Sequence, residues 1–296
     1  MNSEEILKWK DAGKLARDAL NFGKTLILDG ASMLDVTENI ENFVIEKEGR
    51  LAFPTNIAVN NVGAHWTPST KSKEIFHTGD VVKLDVGVHI DGYIGDNALT
   101  VEIGNDKYKK MIEASREALN AAIEIAAPGV NVGIIGHAVQ DIIEGYGYRP
   151  IANLTGHGIK RYNLHSGISI PSVRERGGPV LRSGDIVAIE PFVTDGVGRV
   201  GGKRNSNIYH LKQVRKIKDE KAAELMVEIQ ERYHGLPFAE RWLHSIQDNA
   251  TKSLQKLMRA GVVSYYPILD ELGKGIVTQS EHTVMITKSG IEVLTA

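Results

Sequence analysis

The sequence predicts an α+β fold made of two pseudo-symmetric α/β halves, with a helical insertion in the second half. The first observation is a repeat: the segment TGDVVKLD at residues 78–85 returns as SGDIVAIE at residues 183–190. Each copy begins with a turn signal, continues as an apolar run typical of a strand, and ends on a carboxylate. A pair of segments with helical periodicity precedes each copy, so a whole unit of helices and strands is repeated. A period of this length is too long for a solenoid and fits two halves that share one core.

The elements of the first half follow from periodicity and turn residues. They are predicted as helices at 4–28 and 35–48, a strand and loop at 51–60, and hairpin strands at 81–90 and 93–103. The pair Asp91-Gly92 between the last two runs is a strong signal for a tight hairpin turn.

The second half repeats this order and then departs from it. Its elements are predicted as helices at 108–127, 132–144, 220–234, 238–246 and 251–260, a short strand at 262–266, and closing strands at 278–286 and 291–294. Because residues 210–266 are richer in helix and charge than their surroundings, we interpret them as an inserted subdomain. The main domain then comprises residues 1–209 and 267–296.

Composition restricts the class of protein. The 296 residues carry 35 basic and 37 acidic side chains, a net charge of −2, so no nucleic-acid-binding footprint is present. The chain has no cysteine, which excludes disulfides and thiolate metal sites. A charged N-terminus and the lack of an apolar run near 20 residues predict a cytoplasmic protein without membrane segments.

Two carboxylates of the predicted hairpin lie on one face. A four-residue loop places Asp85 opposite Asp96, whereas a two-residue loop makes them diagonal neighbours. In either register their Cβ atoms are about 5–8 Å apart. Two like charges at this distance are unfavourable unless a cation neutralises them. The alternative is that both decorate a solvent face, but Glu190 at the echo of Asp85 favours a divalent metal site.

Other polar residues have settings that suggest a ligand. His157 lies between two glycines, which let backbone approach a ligand closely, and His165 follows eight residues later. His65 lies near the echo of His165 in the first half, and Glu281 lies in a predicted strand, Gln279–Val284, whose setting would bury the acid. Taken singly, each histidine could be an ordinary polar loop residue and Glu281 a charge on an edge strand.

Together, five phrases in order resemble the methionine aminopeptidases. They are Leu84-Asp85-Val86-Gly87, Gly95-Asp96, Thr155-Gly156-His157-Gly158, Ile189-Glu190-Pro191 and Ser280-Glu281-His282-Thr283. Any one phrase is weak, but all five span nearly the whole chain. The resemblance implies the pita-bread fold around a dinuclear metal site, with five metal ligands: Asp85, Asp96, His157, Glu190 and Glu281.

The long interval between Glu190 and Glu281 resembles the type II enzymes, which carry a helical, winged-helix-like insertion there. The short N-terminal region resembles archaeal members. One residue departs from the type II pattern, since Ser280 stands where phenylalanine usually precedes the glutamate. This departure concerns the packing around the ligands rather than the ligands themselves.

The resemblance implies hydrolytic removal of the N-terminal initiator methionine from nascent proteins and peptides by a metal-bridging hydroxide. The cofactor would be two divalent ions, Co, Mn, Fe or Zn, bridged by Asp96 and Glu281. Glu190 would shuttle the proton, His165 would bind the developing oxyanion, and His65 would bind the scissile amide. The methionine pocket would be formed by apolar side chains: Phe53, Leu164, Phe192 and Tyr266.

The expected partner is a peptide or nascent chain that starts with methionine, with contact to the ribosome left open. No specific nucleic acid and no membrane are expected, and the chain is expected to be a monomer. Two rival interpretations remain. One is an X-Pro aminopeptidase or prolidase of the same fold, and the other is a non-catalytic, metal-free binding protein of that fold.

Overall fold

A computed structural model describes all residues from Met1 to Ala296. The helices are α1 (Ser3–Leu26), α2 (Met33–Glu46), α3 (Lys109–Ile125), α4 (Val132–Gly145), α5 (Glu220–Tyr233), α6 (Glu240–Leu243) and α7 (Ala250–Arg259). The strands are β1 (Arg50–Leu51), β2 (Asn56–Val59), β3 (Val62–Ala64), β4 (Val81–Ile90), β5 (Tyr93–Glu102), β6 (Arg149–Pro150), β7 (Gly156–Ile159), β8 (Ser169–Ile170), β9 (Ile186–Ile189), β10 (Phe192–Thr194), β11 (Val200–Gly201), β12 (Asn205–Leu211), β13 (Phe238–Ala239), β14 (Val263–Pro267), β15 (Leu269–Glu271), β16 (Val277–Gln279), β17 (Glu281–Ile286) and β18 (Ile291–Val293).

A nine-stranded antiparallel sheet forms the centre of the molecule. Its order is β1-β4-β5-β17-β9-β7-β8, with β2 also paired to β4 and β18 to β17. The helices α1 and α2 pack on β4 through a buried cluster that includes Ile40 and Leu84. The helices α3 and α4 pack on β9 and β17 through a second cluster that includes Ile135 and Val187. One helix pair therefore covers the strands of each half.

The internal repeat is visible in the backbone. Gly79 and Gly184 occupy matching turns with φ of 94° and 98°, a left-handed conformation that glycine adopts without strain. The turns before α2 and α4 also match. The amide of Gly30 donates over 2.8 Å to a carbonyl just before the Gly79 turn, and the amide of Gly129 donates over 2.8 Å to a carbonyl just before the Gly184 turn. The prediction of two related α/β halves is confirmed.

The predicted insertion lies within a unit that has its own core. The strands β13, β12 and β14 form a separate sheet. Apolar side chains of α5 and α7 pack on it in a buried cluster that includes Leu225, Leu254 and Phe238. This sheet starts at Asn205, five residues before the predicted start at 210, because β12 pairs with both β13 and β14. Below, the name insertion is used for residues 205–267, from the start of β12 to the end of β14.

Two predicted elements differ from the structure. The helix predicted at 238–246 is instead β13 followed by the short helix α6, because Phe238 and Ala239 pair with β12. The strand predicted at 278–286 is divided at Ser280 into β16 and β17, which belong to different sheets. Pairing with a distant strand decides both cases, and local propensity does not report it. No helix combines the length and apolar character needed to cross a bilayer.

Candidate metal centre

The hairpin between β4 and β5 fixes the relative position of the first two acids. Its loop is Asp91-Gly92, with φ of 51° and 84°, which matches the type I′ turn of tight hairpins. Asp85 therefore pairs with Ala98 and Asp96 with Gly87. Of the two registers that the sequence left open, the structure has the two-residue loop, and the acids are diagonal neighbours on one face.

Neighbouring strands bring the other three predicted ligands to the same place. Glu281 opens β17 beside β5, Glu190 directly follows β9, and His157 lies on β7 beside β9. Ligand atoms of Asp96, His157 and Glu281 all lie within 4.8 Å of one another. The Nε2 atom of His157 is 3.5 Å from Asp96 Oδ2 and 3.6 Å from Glu190 Oε1. Together with Asp85, these side chains line one cavity.

Glycines around the ligands are explained by packing. A Cβ atom at Gly87 would lie 2.1 Å from the ring of Phe53, so glycine there leaves room for an aromatic wall of the cavity. At Gly156 and Gly158 a Cβ atom would lie 2.4 Å and 2.2 Å from carbonyl oxygens of adjacent backbone. The glycines beside His157 thus let neighbouring backbone segments approach each other, a role that the sequence did not indicate.

Two residues that hold the acids were missed by sequence reasoning. Thr283 exchanges two hydrogen bonds of 2.8 Å with the backbone amide and carbonyl of Asp96. The Nε2 atom of Gln279 donates to Glu281 Oε2 over 3.3 Å. Both residues are two positions from Glu281, so the alternation of side chains along an extended chain was the signal that could have found them.

Ser280 points away from this centre. Its hydroxyl lies 3.0 Å from that of Ser115 on α3. The residue that departs from the type II pattern therefore contacts a covering helix, and its substitution leaves the five candidate ligands in place.

The four buried acids of the cavity are unfavourable as charged carboxylates when no cation neutralises them. Burial raises the pKa of Asp85 to about 7, with a hydrogen bond from Gln279 opposing the shift. Two causes raise the pKa of Asp96, Glu190 and Glu281 well above the usual range: burial, which is the larger, and repulsion from neighbouring acids. No lysine or arginine lines the cavity to compensate these carboxylates.

The residues fit a divalent metal. The Oδ1 atoms of Asp85 and Asp96 are buried and have no hydrogen-bond partner, although buried carboxylate oxygens normally have one. Burial lowers the pKa of His157 to about 3, so its imidazole is neutral and offers a lone pair at neutral pH. Carboxylate oxygens with one imidazole nitrogen suit Mn, Fe, Co or Zn.

The raised pKa values predict that metal affinity increases with pH. At a pH below its raised pKa, each acid holds a proton that the metal ion must displace. For each proton displaced, the affinity for the metal ion rises about tenfold per pH unit. We expect isothermal titration of the metal-free chain with Mn²⁺, between pH 6 and 8, to show rising affinity and proton release. A pH-independent affinity without proton release would contradict these pKa shifts.

The same cavity, of about 310 Å³, collects the other predicted site residues. All six line it: Phe53, His65, Leu164, His165, Phe192 and Tyr266. The ring of His165 lies 4.5 Å from that of His157, and the ring of His65 lies 5.3 Å from that of Tyr266. Burial lowers the pKa of His65 to about 4, so this imidazole is neutral at pH 7.

The insertion contributes one wall of the cavity. Ile208 of β12 and Pro237 before β13 line it beside Tyr266 of β14. Sequence reasoning placed Tyr266 there but missed the other two, since an apolar residue in an inserted segment gives no signal of the cavity it lines.

The fold and this acid-rich centre define a metallopeptidase. The model of Metallopeptidase family M24 matches residues 8–288, and the chain belongs to that family. It is 44% identical over 295 residues to the methionine aminopeptidase of Methanocaldococcus jannaschii and 43% identical over 295 residues to that of Archaeoglobus fulgidus, with 100% of every chain covered.

Solved structures agree with this assignment. The methionine aminopeptidase from Thermotoga maritima has a TM-score of 0.73 at 26% identity, covering 100% of this chain and 98% of its own. The prolidase from Pyrococcus horikoshii OT3 has a TM-score of 0.63 at 22% identity, and only 62% of its length is covered. The prolidase match shows the shared fold alone. The resemblance to the methionine aminopeptidases is thus confirmed for the family and the fold.

Proposed function

We propose that this chain is a methionine aminopeptidase that hydrolyses the peptide bond after an N-terminal methionine. The observation that carries the proposal is the convergence of four acids and one imidazole in a cavity that also has apolar walls. Full-length similarity to archaeal methionine aminopeptidases supports the same function. The substrates are peptides and nascent proteins that begin with methionine.

The five converging side chains are assigned to two divalent ions, Co, Mn, Fe or Zn. The residues that would hold these ions are Asp85, Asp96, His157, Glu190 and Glu281. When bound, the ions supply Lewis acidity that lowers the pKa of coordinated water toward neutrality.

The protein's own side chains carry out the proton transfer and bind the reacting groups of the substrate. Glu190, whose pKa is raised by burial and by the acids beside it, is suited to take a proton from water and deliver it to the leaving amine. His165 would donate to the oxygen that gains charge in the transition state, and His65 would bind the scissile amide. The substrate methionine would occupy the apolar wall formed by Phe53, Leu164, Phe192 and Tyr266.

Peptide selectivity tests the function. The metal-loaded chain should release methionine from Met-Ala-Ser and leave Ala-Pro peptides intact. Cleavage of Ala-Pro alone would favour the prolidase interpretation. Protein that binds no divalent metal and cleaves neither peptide would favour the non-catalytic interpretation.

Replacing His65 with alanine should lower kcat by about 10²-fold, since a neutral donor aimed at the reacting group is lost. Metal content should stay at the wild-type level, because His65 is not among the proposed ligands. Steady-state kinetics on Met-Ala-Ser and metal analysis of the same sample check both. His137→Ala, on the exposed side of α4, is the matched control and should behave as wild type. Loss of metal in His65→Ala would show that its role is misassigned.

The setting of the enzyme is also proposed. We place it in the cytoplasm as a monomer that meets nascent chains near the ribosome. Four exposed basic residues follow β12 in the chain and carry a charge suited to that contact: Lys212, Arg215, Lys216 and Lys218. Cosedimentation with ribosomes that weakens as salt increases would support it.

A further inference from the structure

The loop that carries His65 is held in an unusual conformation. The φ angle of His65 is 60°, in the left-handed region that non-glycine residues rarely occupy. Such a conformation persists only where the surrounding structure imposes it. One side of the loop is fixed by β2, because the amide of Ile57 donates to the carbonyl of Trp66 over 2.9 Å.

The other side of the loop is fixed by the insertion, through Thr67. The amide of Thr67 donates to the carbonyl of Ser206 over 3.2 Å, and its carbonyl accepts from Nδ2 of Asn207 over 2.9 Å. Its hydroxyl accepts from Nη1 of Arg241 over 2.9 Å, and the same nitrogen donates to the carbonyl of Pro68 over 3.0 Å. Every polar atom of Thr67, which is fully buried, thus bonds to the insertion.

Arg241 is itself held by an acid of the first half. Its Nη2 atom pairs with Oε1 of Glu41 on α2, and both side chains are buried. Glu41 also accepts from the indole of Trp242 over 2.7 Å and from the amide of Thr55 over 3.1 Å. The guanidinium therefore has one orientation, with one nitrogen on Glu41 and the other on the loop.

We propose that Arg241, anchored by Glu41, is a positioning residue that holds the Thr67–Pro68 segment so that His65 points into the cavity. The insertion would then act in the reaction by fixing a group of the main domain, as well as by lining the cavity with Tyr266. The consequence for turnover rests on the proposed function of His65, whereas the constraint on the loop does not.

The test combines kinetics with a double-mutant cycle. Arg241→Met should lower kcat on Met-Ala-Ser by about 10- to 100-fold, as displacement of a catalytic group by about 1 Å does, with KM changed by less than about threefold and metal content unchanged. In the His65→Ala background the same substitution should change kcat by less than about threefold, since the group it positions is already absent. Arg232→Met, which removes an exposed pair with Glu228 in the same insertion, is the control and should change neither.

Thr67→Val keeps the buried ion pair between Arg241 and Glu41 and the shape of the side chain at position 67. This variant therefore tests the proposal if Arg241→Met is insoluble. It should lower kcat by about three- to tenfold, and hydrogen exchange of the full chain should accelerate at residues 62–70. Unchanged kcat and exchange in the soluble variants, or an equal fall of kcat in both His65 backgrounds, would overturn the proposal. If the wild type releases no methionine, the proposed function fails, and the exchange rates alone decide whether the insertion holds the loop.

Discussion

Replacing Asp96 with asparagine should reduce bound divalent metal from two ions to at most one and lower methionine release by at least about 10³-fold. Asp96 is one of the three candidate ligands whose ligand atoms lie within 4.8 Å of one another, with one carboxylate oxygen 3.5 Å from His157 Nε2 and the other buried without a partner. Asparagine keeps the size of the side chain but removes the charge and one oxygen. Since deprotonated carboxylates supply the charge that retains divalent ions, both ligation and turnover should fall.

Metal analysis of the purified variant and kinetics on Met-Ala-Ser measure the two effects. The backbone at Asp96 is held by Thr283, so the fold should survive the change. Asp141→Asn on the exposed face of α4 is the matched control and should retain both ions and full turnover. Full activity of Asp96→Asn with two bound ions would remove Asp96 from the centre.

Replacing Glu190 with glutamine should lower kcat by about 10²- to 10⁴-fold while KM for the peptide changes little. Glutamine keeps an oxygen that can ligate a metal, but it cannot accept and return a proton, and general acid–base catalysis contributes about this factor. The side chain of Glu190 is 14% exposed, more than that of Asp96 at 4%, which leaves it accessible to water from the cavity.

Comparison with Glu281→Gln separates proton transfer from ligation. Glu281 is buried and bonded to Gln279, so its substitution should lower metal content, whereas Glu190→Gln should retain most of the metal and lose turnover. Equal metal loss in both variants would assign Glu190 to ligation alone. Unchanged kcat in Glu190→Gln would exclude it from proton transfer.

Much of the site could be predicted because its determinants are local. The alternation of side chains in a hairpin places Asp85 and Asp96 on one face in either of the two registers that the sequence allows, so the shared face could be predicted before the register was known. The repeat in the sequence indicated two halves, and matching turns at Gly79 and Gly184 carry it into the structure. The conformation of a strand or a turn depends mainly on residues that are adjacent in the sequence, and a sequence pattern can therefore predict it.

The remainder depends on contacts between distant segments. The helix predicted at 238–246 is wrong because β13 pairs with β12 some thirty residues earlier, and such pairing outweighs local preference. Glu41 and Arg241 are 200 residues apart, and each reads as an ordinary surface charge until the fold buries them together. Residues such as Ile208 and Pro237 are assigned only once the cavity they line is known.

Anomalous diffraction from crystals of the chain loaded with Mn²⁺ tests most directly whether five dispersed side chains form one two-metal centre. We expect two anomalous peaks in the cavity, each within about 2.0–2.3 Å of its ligands among Asp85, Asp96, His157, Glu190 and Glu281, with Asp96 and Glu281 contacting both. Crystals that bind Mn²⁺ elsewhere, or that leave these acids without a metal at saturating Mn²⁺, would contradict the proposed centre and the peptidase mechanism that depends on it.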